Sequence, residues 1–209
     1  ETTRLASSLG VEVPRTSLIT SSADAQQFAQ AGSYPAVLKA RSSEELSPGG
    51  QVLPTGAPRY AADANEFMTA YNEMSGRCSA LLAQEFVAGT GTGYFALMRE
   101  GELRAEFAHR RIRDVRPTGS GSSVRESVEP DDKIRTAALS ILQALKWHGV
   151  AMVEFRQRAD GTPVFLEVNG RFWNSLALAN YAGVDFPALL AELAERGNVG
   201  PQPRYRYGV

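Results

Sequence analysis

The chain has 209 residues, with 22 lysines and arginines against 23 aspartates and glutamates, so its formal net charge is −1. Hydrophobic residues make up 43% and charged residues 22%, which is typical of a globular protein and excludes a disordered chain or a polybasic nucleic-acid-binding tail. The single cysteine, Cys78, excludes an internal disulfide and favours a reducing, cytoplasmic location. No apolar run approaches the roughly 18 residues of a spanning helix, so we do not expect a membrane as partner. Because the net charge is near zero, we do not expect a nucleic acid as partner either.

The first 87 residues alternate predicted helices and strands, which indicates an α/β pattern. Helix signals occur over residues 1–9, 23–30 and 64–74, and strand signals over residues 11–20, 34–40 and 80–87. Ser21 or Ser22 and then Asp63 are the candidate N-caps, and Leu18 with Ile19 should be buried. Residues 41–58 are rich in Ser, Gly and Pro, which predicts a mobile loop or a loose hairpin.

The remaining residues begin with a predicted glycine-rich turn at 89–93. Strands are expected over residues 94–99, 102–110, 150–156 and 164–169, and helices over residues 134–147 and 186–196. Asp160-Gly161 between two apolar runs predicts that the last two strands form a hairpin. Residues 117–123 are expected to form a flexible segment.

The predicted hairpin carries the most informative side chains. Glu154 lies in the middle of its first strand, and Glu167 and Asn169 should share one face of the second strand with Phe165. Buried carboxylates need compensation, and hard oxygen donors suit Mg²⁺, so the three polar residues are candidate metal ligands. Arg171 follows closely enough to bind an anion. The alternative is that both carboxylates pair with arginines on a solvated sheet face.

Two further segments are candidate nucleotide contacts. Lys39 ends an apolar strand just before the Gly/Ser loop, where it can neutralise a phosphate, and Arg41 adds a second positive charge. No Walker A motif is present, and a lysine that extends from a strand edge towards solvent is the alternative. The segment 84–87 lies where a small ligand commonly binds, between two lobes, although alone it is only a strand leaving a domain.

The basic stretch over residues 104–116 also requires an explanation. Strand alternation places Arg111 and Arg113 on one face and Arg110 on the other. We expect at least one of Arg110 and Arg111 to point inward, to a phosphate or a substrate carboxylate. A solvated hairpin face is the alternative, and no array of stacking aromatics indicates nucleic-acid binding.

Taken in order, four segments resemble the ATP-grasp superfamily: VLKA at 37–40, LLAQEFVAG at 81–89, VAMVEF at 150–155 and VFLEVNGR at 164–171. The resemblance extends over roughly residues 9–196, and its most specific part is Glu-Val-Asn-Gly-Arg after an upstream strand glutamate. It is nearest to the carboxylate-amine ligase branch, close to carbamoyl-phosphate synthetase and biotin carboxylase.

The resemblance implies an α+β ATP-grasp fold with an N-terminal lobe at 1–87, a C-terminal lobe at 88–209 and the nucleotide between them. ATP would bind with Mg²⁺, or with Mn²⁺ in its place. The implied nucleotide contacts are Lys39, Arg41, Gln84, Glu85, Phe86 and Val87. The implied metal ligands are Glu154, Glu167 and Asn169, and the implied catalytic residues are Arg171 and Arg111.

The implied reaction activates a small-molecule carboxylate as an acylphosphate, which an amine or a related nucleophile then attacks. The alternative is an ATP-binding module without independent catalysis. Family members often carry an acidic ribose contact where this chain has Gly89-Thr90-Gly91, and Ser42, Ser43, Gly49 and Gly50 are spread over a long loop. The family's separate N-terminal α/β domain is lacking, so we expect a fragment of a longer chain.

Overall fold

The computed structural model describes residues 2–42, 44–46, 50–114, 122–200, 202 and 204–209. The chain divides into two compact units, one formed by Pro14–Val87 and the other by residues 2–13 together with Ala88–Val209. Both are built from antiparallel sheets with helices packed on them, which confirms the expected α+β class. None of the helices within these ranges is long and apolar enough to cross a membrane.

The unit Pro14–Val87 contains a four-stranded antiparallel sheet. Its strands, in spatial order, are β1 (Thr16–Ile19), β6 (Leu81–Glu85), β2 (Ala36–Ala40) and β5 (Arg59–Ala61). Helices α2 (Ser22–Ala31) and α3 (Ala64–Ser75) pack on one face of this sheet. A separate small hairpin, β3 (Glu44–Leu46) with β4 (Val52–Pro54), occupies part of the segment expected as a loop or loose hairpin. Ser43 and Gly49 lie outside the described residues.

Local polar contacts explain where the two helices of this unit begin. The Ser21 hydroxyl accepts a hydrogen bond from the Asp24 backbone N–H at 3.1 Å, and the Asp24 carboxylate accepts one from the Ser21 N–H at 3.0 Å. This reciprocal capping box satisfies donors that a helix start leaves free. The expected burial of Leu18 is wrong, because successive strand residues face opposite sides and Leu18 is 50% exposed while Ile19 is buried.

The second unit contains a five-stranded antiparallel sheet. Its strands, in spatial order, are β11 (Pro163–Asn169), β10 (Gly149–Gln157), β7 (Thr90–Arg99), β8 (Glu102–Asp114) and β9 (Ser122–Ser127). Helices α1 (Thr2–Ser8) and α4 (Asp132–Ala144) pack on one face of the sheet, and α5 (Leu176–Ala182) and α6 (Phe186–Arg196) pack on the other.

The first residues of the chain belong to this second unit, although they were expected in the N-terminal lobe. Ala6 is buried in the same apolar cluster as Ile134, and the Phe165 backbone N–H donates to the Glu12 carbonyl at 2.8 Å. These contacts group residues 2–13 with Ala88–Val209, and the other unit spans Pro14–Val87.

Two further expectations differ from the structure. The glycine-rich segment 89–93 is not a turn, because β7 already begins at Thr90. Helix α5 was not expected at all. The flexible segment expected at 117–123 lies outside the described residues except for Ser122 and Ser123, which begin β9.

Candidate functional site

One face of the five-stranded sheet changes from apolar to polar along its strands. On the side of α5 and α6, one row of neighbouring positions is apolar and buried or partly buried: Phe95, Phe107 and Met152. Two residues further along each strand, the corresponding row consists of Gly93, His109 and Glu154. A polar row next to a packed apolar core is where a buried charge can be held in fixed geometry.

The two strand glutamates face one another. Glu154 on β10 lies directly opposite Glu167 on β11, and the Asn169 side-chain amide donates to Glu167 Oε1 at 2.7 Å. Burial raises the pKa of Glu154, and the neighbouring Glu167 carboxylate raises it further, while Arg111 acts in the opposite direction. Two adjacent carboxylates are costly without a cation or a shared proton, so this pair is a site with excess negative charge.

The expectation that Phe165 lies on the same face as Glu167 is wrong. The strand register shifts after Glu154, so that Phe155 pairs with Phe165 while Glu154 pairs with Glu167. The bulge leaves Leu166 as an extra residue on β11, and Phe165 is fully buried among the α1 and α4 side chains. A bulge re-aims the residues on one side of it, which periodicity alone does not reveal.

Arg111 reaches the carboxylate pair from two strands away. It lies on β8 and forms an ion pair with Glu154 on β10, although β7 runs between them. The intervening positions are glycines: a Cβ at Gly91 would lie 2.6 Å from Arg111 Cδ, and a Cβ at Gly93 would lie 3.0 Å from His109 Nε2. Gly91 therefore provides the space through which the arginine crosses the strand, and Gly93 provides space for His109 and Phe95.

The basic residues of β8 point in different directions. Arg111 is 15% exposed at its side chain, whereas Arg110 is 58% exposed and pairs with Glu126. The expectation that Arg111 and Arg113 share a face is wrong, since Arg111 lies opposite Arg125 while Arg113 lies opposite Val124. The strand bulges between them, so the alternation on which the expectation rested is interrupted.

Sequence reasoning missed Arg125. This half-buried residue on β9 lies opposite Arg111, and within the part of the chain that the structure describes its side chain makes no hydrogen bond or ion pair. Burial lowers its pKa, and the Arg111 charge lowers it further. Asp114 lies 3.9 Å from Arg111 and 3.6 Å from Arg156, which adds an acidic group to the same cluster. The only signal that could have identified Arg125 is its position opposite Arg111 on the neighbouring strand, and that pairing cannot be read from the sequence because β8 is bulged.

His109 is a neutral residue at the edge of this charged cluster. It is 3% exposed, and its Nδ1 lies 3.1 Å from the hydroxyl of Ser175, the N-cap residue of α5. Burial, and then the charges of Arg125 and Arg111, lower the pKa of His109 to about 3. Its imidazole therefore does not add a positive charge near neutral pH.

Arg171 lies beyond the end of β11. Its side chain is exposed, and its Nη1 donates to the backbone carbonyl of Phe172 at 3.0 Å. The exposed guanidinium retains donors with which a ligand can hydrogen bond.

The candidate nucleotide contacts belong to the other unit. Lys39 lies on the sheet face opposite α2 and α3, across from Leu82, and Arg41 is exposed just after β2. Gln84 is buried, and its amide donates to Thr16 Oγ1 at 2.9 Å, so it holds β1 against β6. That contact gives Gln84 a structural role whether or not it meets a ligand.

The end of β6 is also tied into its own unit. The Glu85 carboxylate forms an ion pair with Arg15 at 3.0 Å. The Glu85 N–H donates to the Arg15 carbonyl at 2.9 Å, and the Phe86 N–H donates to the Pro35 carbonyl at 3.1 Å. Phe86 packs edge-on against Tyr60, and Val87 is buried. The segment is therefore held rigidly, as a binding segment should be.

The carboxylate pair offers oxygen donors to a divalent cation. Among the described residues, no group of three or more His, Cys, Asp or Glu side chains is placed to hold a metal ion. The candidate set is smaller, with the carboxylates of Glu154 and Glu167 and the amide oxygen of Asn169. Mg²⁺ uses few protein oxygens and completes its shell with phosphates and water, so this donor set fits it.

Comparisons with known proteins indicate the family and the fold. No match was found among curated protein sequences. A family model described as "ATP-grasp in the biosynthetic pathway with Ter operon" matches residues 77–208, which is more than half of the chain.

Three solved structures resemble the chain at low sequence identity. An L-amino acid ligase from Bacillus licheniformis matches 92% of this chain and 46% of its own, at 20% identity and a TM-score of 0.70. The biotin carboxylase domain of 2-oxoglutarate carboxylase from Hydrogenobacter thermophilus, with MgADP, ADP and bicarbonate, matches 98% of this chain and 47% of its own. The identity is 16% and the TM-score is 0.74. The D-alanine–D-alanine ligase of Bacillus anthracis, with ATP, matches 94% of this chain and 63% of its own, with 18% identity and a TM-score of 0.66.

The chain thus spans about half to two thirds of the length of these proteins. Together with the paired strand glutamates on an antiparallel sheet, the family match identifies the chain as a member of the ATP-grasp family.

Proposed function

We propose that the chain binds Mg-ATP and forms the catalytic part of a ligase that activates a carboxylate as an acylphosphate. The observation that carries this proposal is the pairing of Glu154 with Glu167 directly across β10 and β11. The fold of ligases that act on amino acids, and of a carboxylase domain bound to MgADP, supports it.

The metal would be held by Glu154, Glu167 and Asn169. When bound, Mg²⁺ supplies positive charge that neutralises the phosphate oxygens during phosphoryl transfer. Glu154 and Glu167 supply two negative charges at adjacent strand positions, and the strand backbones fix their separation. Asn169 already contacts Glu167, so it orients that carboxylate as well as offering an oxygen of its own.

The nucleotide would be held by the other unit. Lys39 and Arg41 would neutralise phosphate charge, and the Gln84–Val87 segment would hold the adenine. Phe86 and Val87 supply apolar surface, and the backbone carbonyls of the segment are acceptors for an adenine amino group. Lys39 lies opposite Leu82, three residues before Glu85, which corresponds to about 10 Å along a strand.

In the proposed reaction, an oxygen of the substrate carboxylate attacks the γ-phosphorus of ATP, and the bond to the β-γ bridging oxygen breaks, releasing ADP. An amine then attacks the acyl carbon, loses its proton and expels inorganic phosphate. Arg171 and Arg111 would stabilise the negative charge on the transferred phosphoryl group, because guanidinium donors match its oxygens.

The test is Glu167→Gln, with Glu126→Gln as matched control. Glu126 also lies on a strand of the same sheet, but it pairs with Arg110. Phosphate release is measured with a panel of carboxylates and amines, and Mg-ATP binding by calorimetry. We expect Glu167→Gln to lower turnover at least 100-fold while the control retains it. Full activity in Glu167→Gln would refute the metal assignment.

A second candidate is an ATP-binding module that does not catalyse on its own. One observation favours it: Gly89 and Gly91 stand where relatives often carry an acidic ribose contact. The Gly89 carbonyl instead accepts a hydrogen bond from Arg156 at 2.9 Å. Calorimetry with an ATP analogue, with and without Mg²⁺, distinguishes the two, since Mg-dependent binding without turnover on any acid favours the module.

A further inference from the structure

Arg111 occupies the position at which a cation would meet Glu154. Its guanidinium forms an ion pair with the one carboxylate that is both buried and adjacent to Glu167. The arginine comes from a different strand from either glutamate, and it reaches Glu154 across β7 over Gly91, where an added Cβ would collide with it. Arg111 is therefore the counter-ion that offsets the excess negative charge of the pair.

Arg125 forms no hydrogen bond or ion pair of its own among the described residues. It lies half-buried on β9 directly opposite Arg111, and Glu154 is the one carboxylate close enough to act on its charge. Two arginines at directly opposite strand positions repel each other unless an anion lies between or beside them. Glu154 is thus shared by the two guanidinium groups, with Asp114 3.9 Å from Arg111, and a cation bound to Glu154 would leave both arginines short of negative charge.

We propose that Arg111 is an exchangeable counter-ion: a divalent cation that binds Glu154 and Glu167 releases its guanidinium, and Arg111 and Arg125 together then bind an oxyanion of the ligand. The oxyanion is a carboxylate or a phosphoryl group, because both match the planar fork of a guanidinium. This inference rests on the proposed function, since it takes the two glutamates as metal ligands.

The charges make the exchange favourable. A divalent cation and a guanidinium at the same carboxylate repel one another, and solvent screens this repulsion only weakly because the Arg111 and Glu154 side chains are each 15% exposed. The released guanidinium moves towards Arg125, one strand spacing of about 4.8 Å away, where two cationic forks face one position. Cation and oxyanion therefore bind with positive coupling, and each must raise the affinity for the other by the same factor.

The first experiment titrates the purified chain with Mn²⁺ alone, followed by loss of the free-ion electron paramagnetic resonance signal. Arg111→Gln is compared with Arg125→Gln, which removes the same charge from the neighbouring strand without breaking the contact with Glu154. We expect Arg111→Gln to bind Mn²⁺ at least threefold more tightly than Arg125→Gln, because the competing guanidinium is gone. Equal or weaker binding would overturn the proposal and make Arg111 a structural support for Glu154.

A second variant guards against misfolding. Gly91→Ala keeps both arginines but places a Cβ 2.6 Å from Arg111 Cδ, so it obstructs the crossing. It should also bind Mn²⁺ more tightly than wild type. Unchanged affinity in Gly91→Ala and Arg111→Gln, both with native circular dichroism, would show that the ion pair does not compete with metal.

The second experiment titrates orthophosphate or acetate at saturating Mg²⁺, followed by the NMR signals of the chain. Arg111→Gln and Arg125→Gln should each weaken binding at least fivefold, whereas Arg110→Gln, on the exposed side of β8, should not. Tighter binding of orthophosphate assigns the site to a phosphoryl group, and tighter binding of acetate assigns it to a carboxylate. If every variant bound each anion as tightly as wild type does, the oxyanion site would be refuted.

The two experiments separate this inference from the proposed function. If wild type binds Mn²⁺ no better than Glu167→Gln, the metal assignment fails and the proposed function fails with it. If wild type binds Mn²⁺ and Mg-ATP, but Arg111→Gln behaves like Arg125→Gln, only the exchange is refuted.

Discussion

The two sheets of the molecule treat their charged residues differently. In the four-stranded sheet, polar side chains find partners nearby: Gln84 bonds Thr16, and Glu85 pairs with Arg15. In the five-stranded sheet, two glutamates face each other and two arginines face each other, and one arginine crosses a strand to connect the sets. Like charges in opposed positions reduce stability, so the second sheet carries strain that the first does not. Such local conflict indicates where a protein binds something.

If that comparison is right, the largest change in folding stability will occur when the five-stranded sheet is titrated with acid. In the unfolded chain, His109 takes up a proton at a pKa of about 6.5, whereas in the folded chain its pKa is about 3. Between these values the unfolded state binds more protons, so stability falls as the pH is lowered from about 6.5 to about 3.

We expect the loss to reach several kcal/mol, because each pKa unit corresponds to about 1.4 kcal/mol. Urea unfolding as a function of pH measures it. His109→Gln should flatten this part of the profile. Because the raised pKa of Glu154 acts in the opposite direction in both proteins, the comparison is between wild type and His109→Gln, and identical profiles would contradict the assignment of a neutral, buried imidazole.

The next largest change in stability is expected from a side chain added at Gly93, one of the two glycines of β7. Gly93→Ala would place a Cβ 2.6 Å from Phe95 Cζ and 3.0 Å from His109 Nε2, so the polar row and the core below it must both shift. Overpacking of this kind costs about 1–3 kcal/mol, measured as a change in the free energy of unfolding.

The control for that variant is Gly76→Ala in the other unit. Gly76 ends α3 with a helical backbone, and nothing lies within 4 Å of the added Cβ. The control should be neutral or slightly stabilising. Equal destabilisation of the two variants would mean that the gap in β7 is not sterically required.

The smallest effect is expected in the four-stranded unit, from a single helix cap. The Asp63 carboxylate accepts hydrogen bonds from the N–H groups of Asn65 and Glu66, at 2.8 and 2.9 Å. Asp63→Ala should cost about 1 kcal/mol and leave Mg²⁺ binding intact. Asp63→Asn keeps the cap and should retain most of the stability. A loss of metal affinity in Asp63→Ala would contradict this prediction.

The sequence predicted much of this framework and little of the cross-strand arrangement. Apolar periodicity and caps indicated α2, α3, α4 and α6, and Asp160-Gly161 indicated the β10–β11 hairpin that carries the glutamates. Those signals are local, so they can be read along the chain. Helix α5 was missed because its seven residues hold few strong signals, and its N-cap residue Ser175 bonds His109 instead of the helix backbone.

The candidate site was predicted only where one strand suffices. Glu154, Glu167 and Asn169 could be grouped from alternation along a hairpin. The positions of Arg111 and Arg125 depend on bulges in β8 and on pairing between distant segments, which no periodicity reports. Gly91 and Gly93 were misread as a turn, since glycine favours turns unless neighbouring side chains need its space.

The gap in β7 offers a search pattern for other sheets. Two glycines separated by one residue remove both side chains from one face of a strand over about 7 Å, which lets side chains of the neighbouring strands, here Arg111 at Gly91 and His109 at Gly93, lie over it. Wherever Gly-x-Gly lies in a central strand, flanked by a basic strand and an acidic strand, an ion pair between non-adjacent strands is expected. Here that pattern connects Arg111 to Glu154. Scanning sheets for it would locate such buried charge pairs before any ligand is known.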